Sequence, residues 1–211
     1  MKTKILDTLT QRFPQLAPLS NALTDAVASL CACHKRGGLI MVCGNGGSAA
    51  DSGHIVGELM KGFLLRREVT ASHREALLRV DPEGMLVGQL QEGVRAVNLM
   101  DATALVSAVG NDLSWEVVYA QQVLALAREG DVLIGFSTSG NARNVLRAFQ
   151  TARALGVKTI GFTGHSGGAM RDWCDVLLNV PETETYRVQE LHLPLYHALC
   201  AMVEEELFSH G

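Results

Sequence analysis

The chain has 211 residues, 47% of them hydrophobic, with a formal net charge of −4 at pH 7; that is ample for one domain with a sizeable core. Charges of both signs are scattered with no basic stripe, which argues against a nucleic-acid groove, and no uncharged apolar run approaches the roughly 18 to 20 residues that span a bilayer. Neither membrane nor nucleic acid is expected as a partner. The start, MKTKILDTLTQRFPQL, lacks the apolar stretch of a secretory signal. Cys31, Cys33, Cys43, Cys174 and Cys200 form no CxxC pair, which suits reduced thiols and a cytoplasmic setting. CACH at Cys31 to His34 sits on an expected helix, where one close cysteine pair reads as packing rather than zinc.

In chain order, Pro14 and Pro18 break the N-terminus. Leu19 to Lys35 then carries Leu23, Ala26, Val27 and Leu30 at helical spacing and stops at Gly37-Gly38. Short apolar runs follow at Leu39 to Cys43, Ala96 to Leu99, Val132 to Phe136, Thr159 to Thr163 and Val176 to Val180. Helical stretches separate them: Ala49 to Met60, Ala102 to Val109, Glu116 to Arg128, Ala142 to Leu155, Gly168 to Trp173, and a long final helix from Tyr186 to Phe208. Continuous apolar strands alternating with helices predict an α/β fold, a parallel sheet covered on both faces. Residues 1–211 read as a single domain, with 1–36 an N-terminal helical segment. Lys61 to Val94 breaks the rhythm as a long insertion with a short helical excursion, and such loops are functional or flexible.

Ligands in open parallel sheets sit beyond the carboxyl ends of the strands. After the first strand, Gly44, Gly46 and Gly47 let backbone approach an anion, while Asn45 and Ser48 add hydrogen-bonding groups near a helix start. GNGGS has neither dinucleotide G-x-G-x-x-G spacing nor a P-loop Lys-Ser/Thr ending, so no nucleotide cofactor is expected. Alone, it could equally be a tight strand-to-helix turn. After the third strand, Ser137, Thr138, Ser139, Gly140 and Asn141 open a helix, and three hydroxyls at a helix N-terminus favour a phosphate monoester over a plain cap. TGHSGG (Thr163 to Gly168) and VGND (Val109 to Asp112, read as preceding another helix) could line the same crevice. His165 reads as a turn residue.

His54 and Glu58 are about 40° apart around a helix, and Gln189 and His197 about 80° apart on the final helix, so each pair shares a face. Individually, a surface pair or a hydrogen-bonded histidine is the commoner explanation.

In order and spacing, CGNGGS, the H-x-x-x-E helix, VGND, GDVLIGFSTSGNARNV and RVQELHLPLYH resemble the sugar isomerase (SIS) domain proteins, in particular the phosphoheptose isomerases. The resemblance covers nearly the whole chain except the insertion. It implies a three-layer αβα fold with a five-stranded parallel sheet of flavodoxin type, an N-terminal helical extension and a homotetramer with active sites between subunits. It further implies an aldose–ketose isomerase acting on sedoheptulose 7-phosphate or a related phosphosugar, with Glu58 and His197 as acid and base. Substrate would meet Asn45, Gly46, Gly47, Ser48, Asp112, Ser137, Thr138, Ser139, Asn141 and Gln189. In several members the residues matching His54, Glu58, Gln189 and His197 bind a metal, which implies one zinc ion per site. This chain departs from the family pattern at Ala142, where a serine is usual and where Arg143 beside it could compensate by charge, and at Tyr186, where an aspartate is usual. The insertion is absent from the common phosphoheptose isomerases. The same domain also occurs in a non-catalytic tetramer that associates with a replication initiator, and in phosphosugar-sensing regulators. The initiator-associating group lacks a counterpart of His197, so that residue favours an enzyme.

Overall fold

Apolar runs with no polar alternation can only be satisfied by covering both faces of the sheet they form. The computed structural model, which describes residues 2–209, shows that arrangement. Strands β1 (Ile40–Cys43), β2 (Ala96–Asn98), β3 (Val132–Ser137), β4 (Lys158–Thr163) and β5 (Val176–Asn179) form one parallel sheet in the order β2-β1-β3-β4-β5, the flavodoxin order. Successive side chains alternate between the two cores. Ile40, Val42, Ile134 and Phe136 join one cluster, while Met41, Cys43 and Leu133 join the other.

The first core is closed by α2 (Ser20–Lys35), α3 (Gly47–Met60) and α9 (Thr185–Phe208), with α1 (Lys2–Arg12) packed on α9. The second is closed by α6 (Thr103–Asp112), α7 (Val118–Leu126) and α8 (Arg143–Ala154). Pro14–Leu19 is a 3-10 turn leading into α2. The helical run Pro14–Lys35 has the length and apolar composition to cross a membrane, which the charge count along the chain did not anticipate. Its apolar face is already used: Leu23, Ala26, Val27 and Leu30 are fully buried in the first core.

Three boundaries differ from the periodicity reading. The stretch expected as one helix from Glu116 to Arg128 is a 3-10 turn (Trp115–Val117) followed by α7. Gly168–Trp173 is a 3-10 turn, entered through positive φ at Gly167 and Gly168. VGND, expected as a loop before a helix, is itself the last turn of α6, and the 3-10 turn Trp115–Val117 and α7 follow it.

Within the 61–94 segment, α4 (Ala71–Val80) and α5 (Met85–Gln89) bury no residue, so the excursion is held at its root. There Arg67 and Glu204 pair at 2.8 Å, each only 1% exposed at its side chain. Glu204 also accepts the backbone N–H groups of Phe63, Leu64 and Leu65. Arg67 donates to the carbonyls of Leu59 and Glu58 at the end of α3, where the Val94 N–H also reaches the Leu59 carbonyl. Burial alone would raise the Glu204 carboxyl, but these N–H donors and the Arg67 guanidinium outweigh it and hold it below the usual range.

His192 is the converse case, a buried group with little support. Its Nε2 lies 3.2 Å from the Thr163 carbonyl, and its Nδ1 has no hydrogen-bond partner among the described residues. Burial pushes it down to about 4. The unfolded chain takes up this proton near pH 6.5 and the folded chain only near 4, so stability rises with pH across that window. The expected loss on going from pH 7 to 4.5 is about 2 to 3 kcal/mol, measurable by urea unfolding. His192→Gln, which cannot titrate, should remove that part of the pH dependence.

Candidate active site

The strand-to-helix turn after β1 is shaped by glycine. Gly46 adopts φ +57° directly before α3, a region open to glycine at no steric cost. Gly47 is where the final helix comes close, since a Cβ there would lie 2.6 Å from Gln189 Nε2. Ser48 is buried. Asn45 forms a reciprocal amide pair with the buried Asn144 of α8, at 2.9 and 2.8 Å, and the Tyr119 hydroxyl beside it donates to the Gly44 carbonyl. The glycine turn is thereby tied to the helix that starts after the hydroxyl-rich loop.

In that loop, Ser137 is buried and its Oγ accepts the Ala142 N–H, while Ser139 is exposed and its Oγ accepts the Asn141 N–H. Thr138 is half-buried between them. Asn141 Oδ1 accepts the Ala169 N–H at 2.9 Å, and a Cβ on Gly140 would meet the Gly167 carbonyl at 2.0 Å. The TGHSGG loop therefore buttresses the Ser137–Asn141 loop. Arg143 lies on Glu116 at 2.7 Å, where its charge is already partnered. Asp112 is exposed and accepts from Asn111 at 2.8 Å, while Tyr186 stays exposed at the start of α9.

A second cluster lies where α3 passes α9. His54 Nε2 is 3.2 Å from Glu58 Oε1 and 3.5 Å from His197 Nε2, and Lys61 Nζ is 3.1 Å from Glu58 Oε2. His54 Nδ1 is 2.9 Å from the Tyr196 hydroxyl, which also reaches Asp51 Oδ1 at 3.4 Å. Phe63 packs against the His197 ring with centroids 5.5 Å apart. Burial, and the neighbouring His54, lower His197, keeping it neutral at pH 7. Asp51 is raised by burial, with Tyr196 and His54 acting in the opposite direction.

Over 193 residues the chain is 42% identical to the phosphoheptose isomerase of Burkholderia pseudomallei, covering 92% of this chain and 84% of that one. The chain belongs to the phosphoheptose isomerase family. It is an enzyme of the sugar-phosphate isomerase type. A phosphoheptose isomerase of Aliarcobacter butzleri is 38% identical over 204 residues, 97% of this chain and 90% of that one. Residues 84–164 match the SIS domain. The solved phosphoheptose isomerase of Neisseria gonorrhoeae superposes with a TM-score of 0.74 at 33% identity, covering 95% of this chain and 93% of that one.

For this family member, the structure brings His54, Glu58 and His197 together but leaves Gln189 apart. Eight residues separate Gln189 from His197, about 12 Å along the helix axis, and the Gln189 amide rests on the glycine turn instead. Among the described residues, no group of three or more His, Cys, Asp or Glu side chains is arranged to hold a metal ion. The donor chemistry of His54, Glu58 and His197, two imidazoles and a carboxylate, nevertheless suits zinc; Gln189 does not complete that set within one chain. Four residues of the site went unread in the sequence: Asp51, Lys61, Tyr196 and Asn144. Local signals existed for two of them, since Asp51 and Lys61 lie three residues from His54 and Glu58 on α3 or just past its end.

Proposed function

We propose that the chain interconverts sedoheptulose 7-phosphate and D-glycero-D-manno-heptose 7-phosphate, or a closely related phosphosugar pair, through a cis-enediol. The reading rests on one observation above all: Glu58 and His197 face the same point at His54, in a member of this family. Aldose–ketose isomerisation needs a base at carbon and a proton carrier at oxygen. Glu58 takes the carbon-bound proton and returns it to the neighbouring carbon. Neutral His197 gives a proton to the carbonyl oxygen and recovers one from the adjacent hydroxyl. Ser48, Ser137, Thr138 and Ser139 hold the phosphate at the start of α8, where helix N–H groups favour an anion. Asn45, Gly46, Gly47, Asp112, Asn141 and Gln189 line the sugar. A zinc ion held by His54, Glu58 and His197 would polarise the carbonyl when bound.

Glu58 lies eleven residues beyond Gly47 on α3, about 16 Å along the axis, so phosphate loop and acid–base pair of one chain stand far apart. A site formed between subunits brings one chain's loop to another chain's pair, which supports the homotetramer. A groove of about 520 Å³ between α1 and α9, lined by Ile5, Leu9, Phe13, Leu193, Pro194 and His197, supports packing of residues 1–36 at that interface. Residues 61–94 form an excursion of this single domain, rooted at Arg67 and Glu204.

Assay with sedoheptulose 7-phosphate should yield the aldose 7-phosphate. Ser139→Ala should raise KM about tenfold with little change in kcat, as loss of one charge-assisted hydrogen bond to phosphate implies. Turnover of another phosphosugar with none on heptose 7-phosphates would move the substrate assignment, and an unchanged KM would remove Ser139 from the phosphate site.

A further inference from the structure

The 61–94 excursion forms a polar hollow whose lining shares no residue with the acid–base cluster. Its helices α4 and α5 bury nothing, yet polar contacts give the segment a set shape. The Thr70 hydroxyl accepts the His73 N–H at the start of α4, Asp81 accepts the Leu86 N–H in α5, and Glu92 accepts the Thr70 N–H and lies 2.6 Å from His73 Nδ1. Residues of α4, of α5 and of the stretch before α4 line a hollow of about 300 Å³, among them Arg66, Glu68 and Arg74. Arg66 donates from Nη2 to the Gly88 carbonyl at 2.5 Å, which fixes its guanidinium on the wall with further N–H groups left to donate. The side chains of Arg74 and Glu68 make no hydrogen bond or ion pair among the described residues. Other arginines of the chain do find carboxylates: Arg67 takes Glu204, Arg79 takes Glu75 and Arg143 takes Glu116. Gly88 adds a second observation. It lies inside α5 without positive φ, and a Cβ there would meet nothing within 4 Å. An interior helical glycine costs about 0.5 to 1 kcal/mol against alanine, and here no crowding requires it; its effect is to keep the wall open beside the Arg66 guanidinium.

We infer that this hollow is a second binding site, for a small phosphorylated polyol, with Arg66 and Arg74 on the phosphate and Glu68 on a hydroxyl. Two planar guanidinium forks match the oxygens of a phosphate monoester. A bare inorganic anion would leave Glu68 facing it with like charge, whereas a polyol brings hydroxyl donors that a carboxylate accepts. Val69, Val87 and Leu90, also in the lining, give the carbon chain an apolar wall. A bound molecule bridges Arg74 on α4 to Arg66, which is itself tied to α5 at Gly88. Binding therefore clamps together two helices that have no buried residue of their own. The site is separate from the proposed catalytic one and does not rest on it.

Amide hydrogen exchange on the full-length protein tests this, with sorbitol 6-phosphate as the probe, because it has no carbonyl and cannot be isomerised. At about 10 mM probe and a Kd near 1 mM, exchange through local opening of residues 66–90 should slow about tenfold. Inorganic phosphate at matched ionic strength should protect the same residues less. Arg74→Ala should abolish the protection; α4 tolerates it, since Arg74 is exposed and alanine is the strongest helix former. Gly88→Glu, which sets a carboxylate beside Arg66, should abolish it as well. Ser139→Ala, in the loop assigned to the catalytic phosphate, should leave it intact. Less than twofold protection in the wild type, protection retained in either excursion variant, or protection lost in Ser139→Ala would overturn the inference. Protection as described in a protein that turns over no phosphosugar would remove the proposed function and leave this site standing.

Discussion

Glu58→Gln should abolish turnover while leaving phosphosugar binding intact. The amide keeps the size of the carboxylate and can still face His54, but it cannot take a proton from carbon. General-base catalysis contributes about 10²- to 10⁴-fold, so kcat should fall by at least about a thousandfold. Binding should persist because phosphate recognition is assigned to loops about 16 Å away along α3. The lost contact to Lys61, whose side chain is 60% exposed, should cost little stability, as surface pairs generally do. Steady-state kinetics and calorimetric titration with substrate check both halves. A kcat within threefold of wild type would remove Glu58 from the chemistry.

The largest effect on stability is expected from Arg67→Ala. Removing it leaves the Glu204 carboxylate buried without its cation and takes the Arg67 donor from the Glu58 carbonyl, while the Leu59 carbonyl keeps the Val94 N–H. Breaking one partner of a buried pair costs about 3 to 5 kcal/mol, which in a domain of this size lowers Tm by roughly 6 to 20 °C. Replacing both, as in Arg67→Met with Glu204→Leu, should recover much of that loss, because the desolvation penalty disappears with the charges. The acid limb carries a sign. Glu204 is held below its unfolded value, so its stabilisation is complete above the ordinary glutamate range near 4.3 and is lost as pH falls through the folded value. Calorimetry of the two variants at neutral pH checks the claim, and a single-variant Tm within 2 °C of wild type would refute it. Because this pair caps α3 and holds Phe63 beside His197, Arg67→Ala should also reduce activity.

The sheet was legible because its strands are uninterrupted apolar runs, and apolarity is a local property of the chain. The pairing of His54 with Glu58 was legible for a similar reason: residues four apart on a helix are neighbours whatever the tertiary fold. What escaped is non-local. Arg67 meets Glu204 across 137 residues, Asn45 meets Asn144 across 99, and Tyr196 meets Asp51 across 145; packing decides such contacts, and no spacing rule announces them. Gln189 shares a helix face with His197, but axial rise separates the two within one chain, and Gln189 ends on Gly47. The end of α6 was misplaced because a glycine followed by Asn-Asp carries a turn signal that the helix overrides for one more turn.

Incubation in deuterated water with a panel of ketose and aldose phosphates tests the central claim most directly, since an enediol route exchanges the transferred hydrogen with solvent. The expected result is deuterium at the carbon next to the carbonyl in a heptose 7-phosphate pair, present with wild type and absent with Glu58→Gln. Isomerisation without any exchange, or no exchange and no turnover on every phosphosugar tried, would contradict the account.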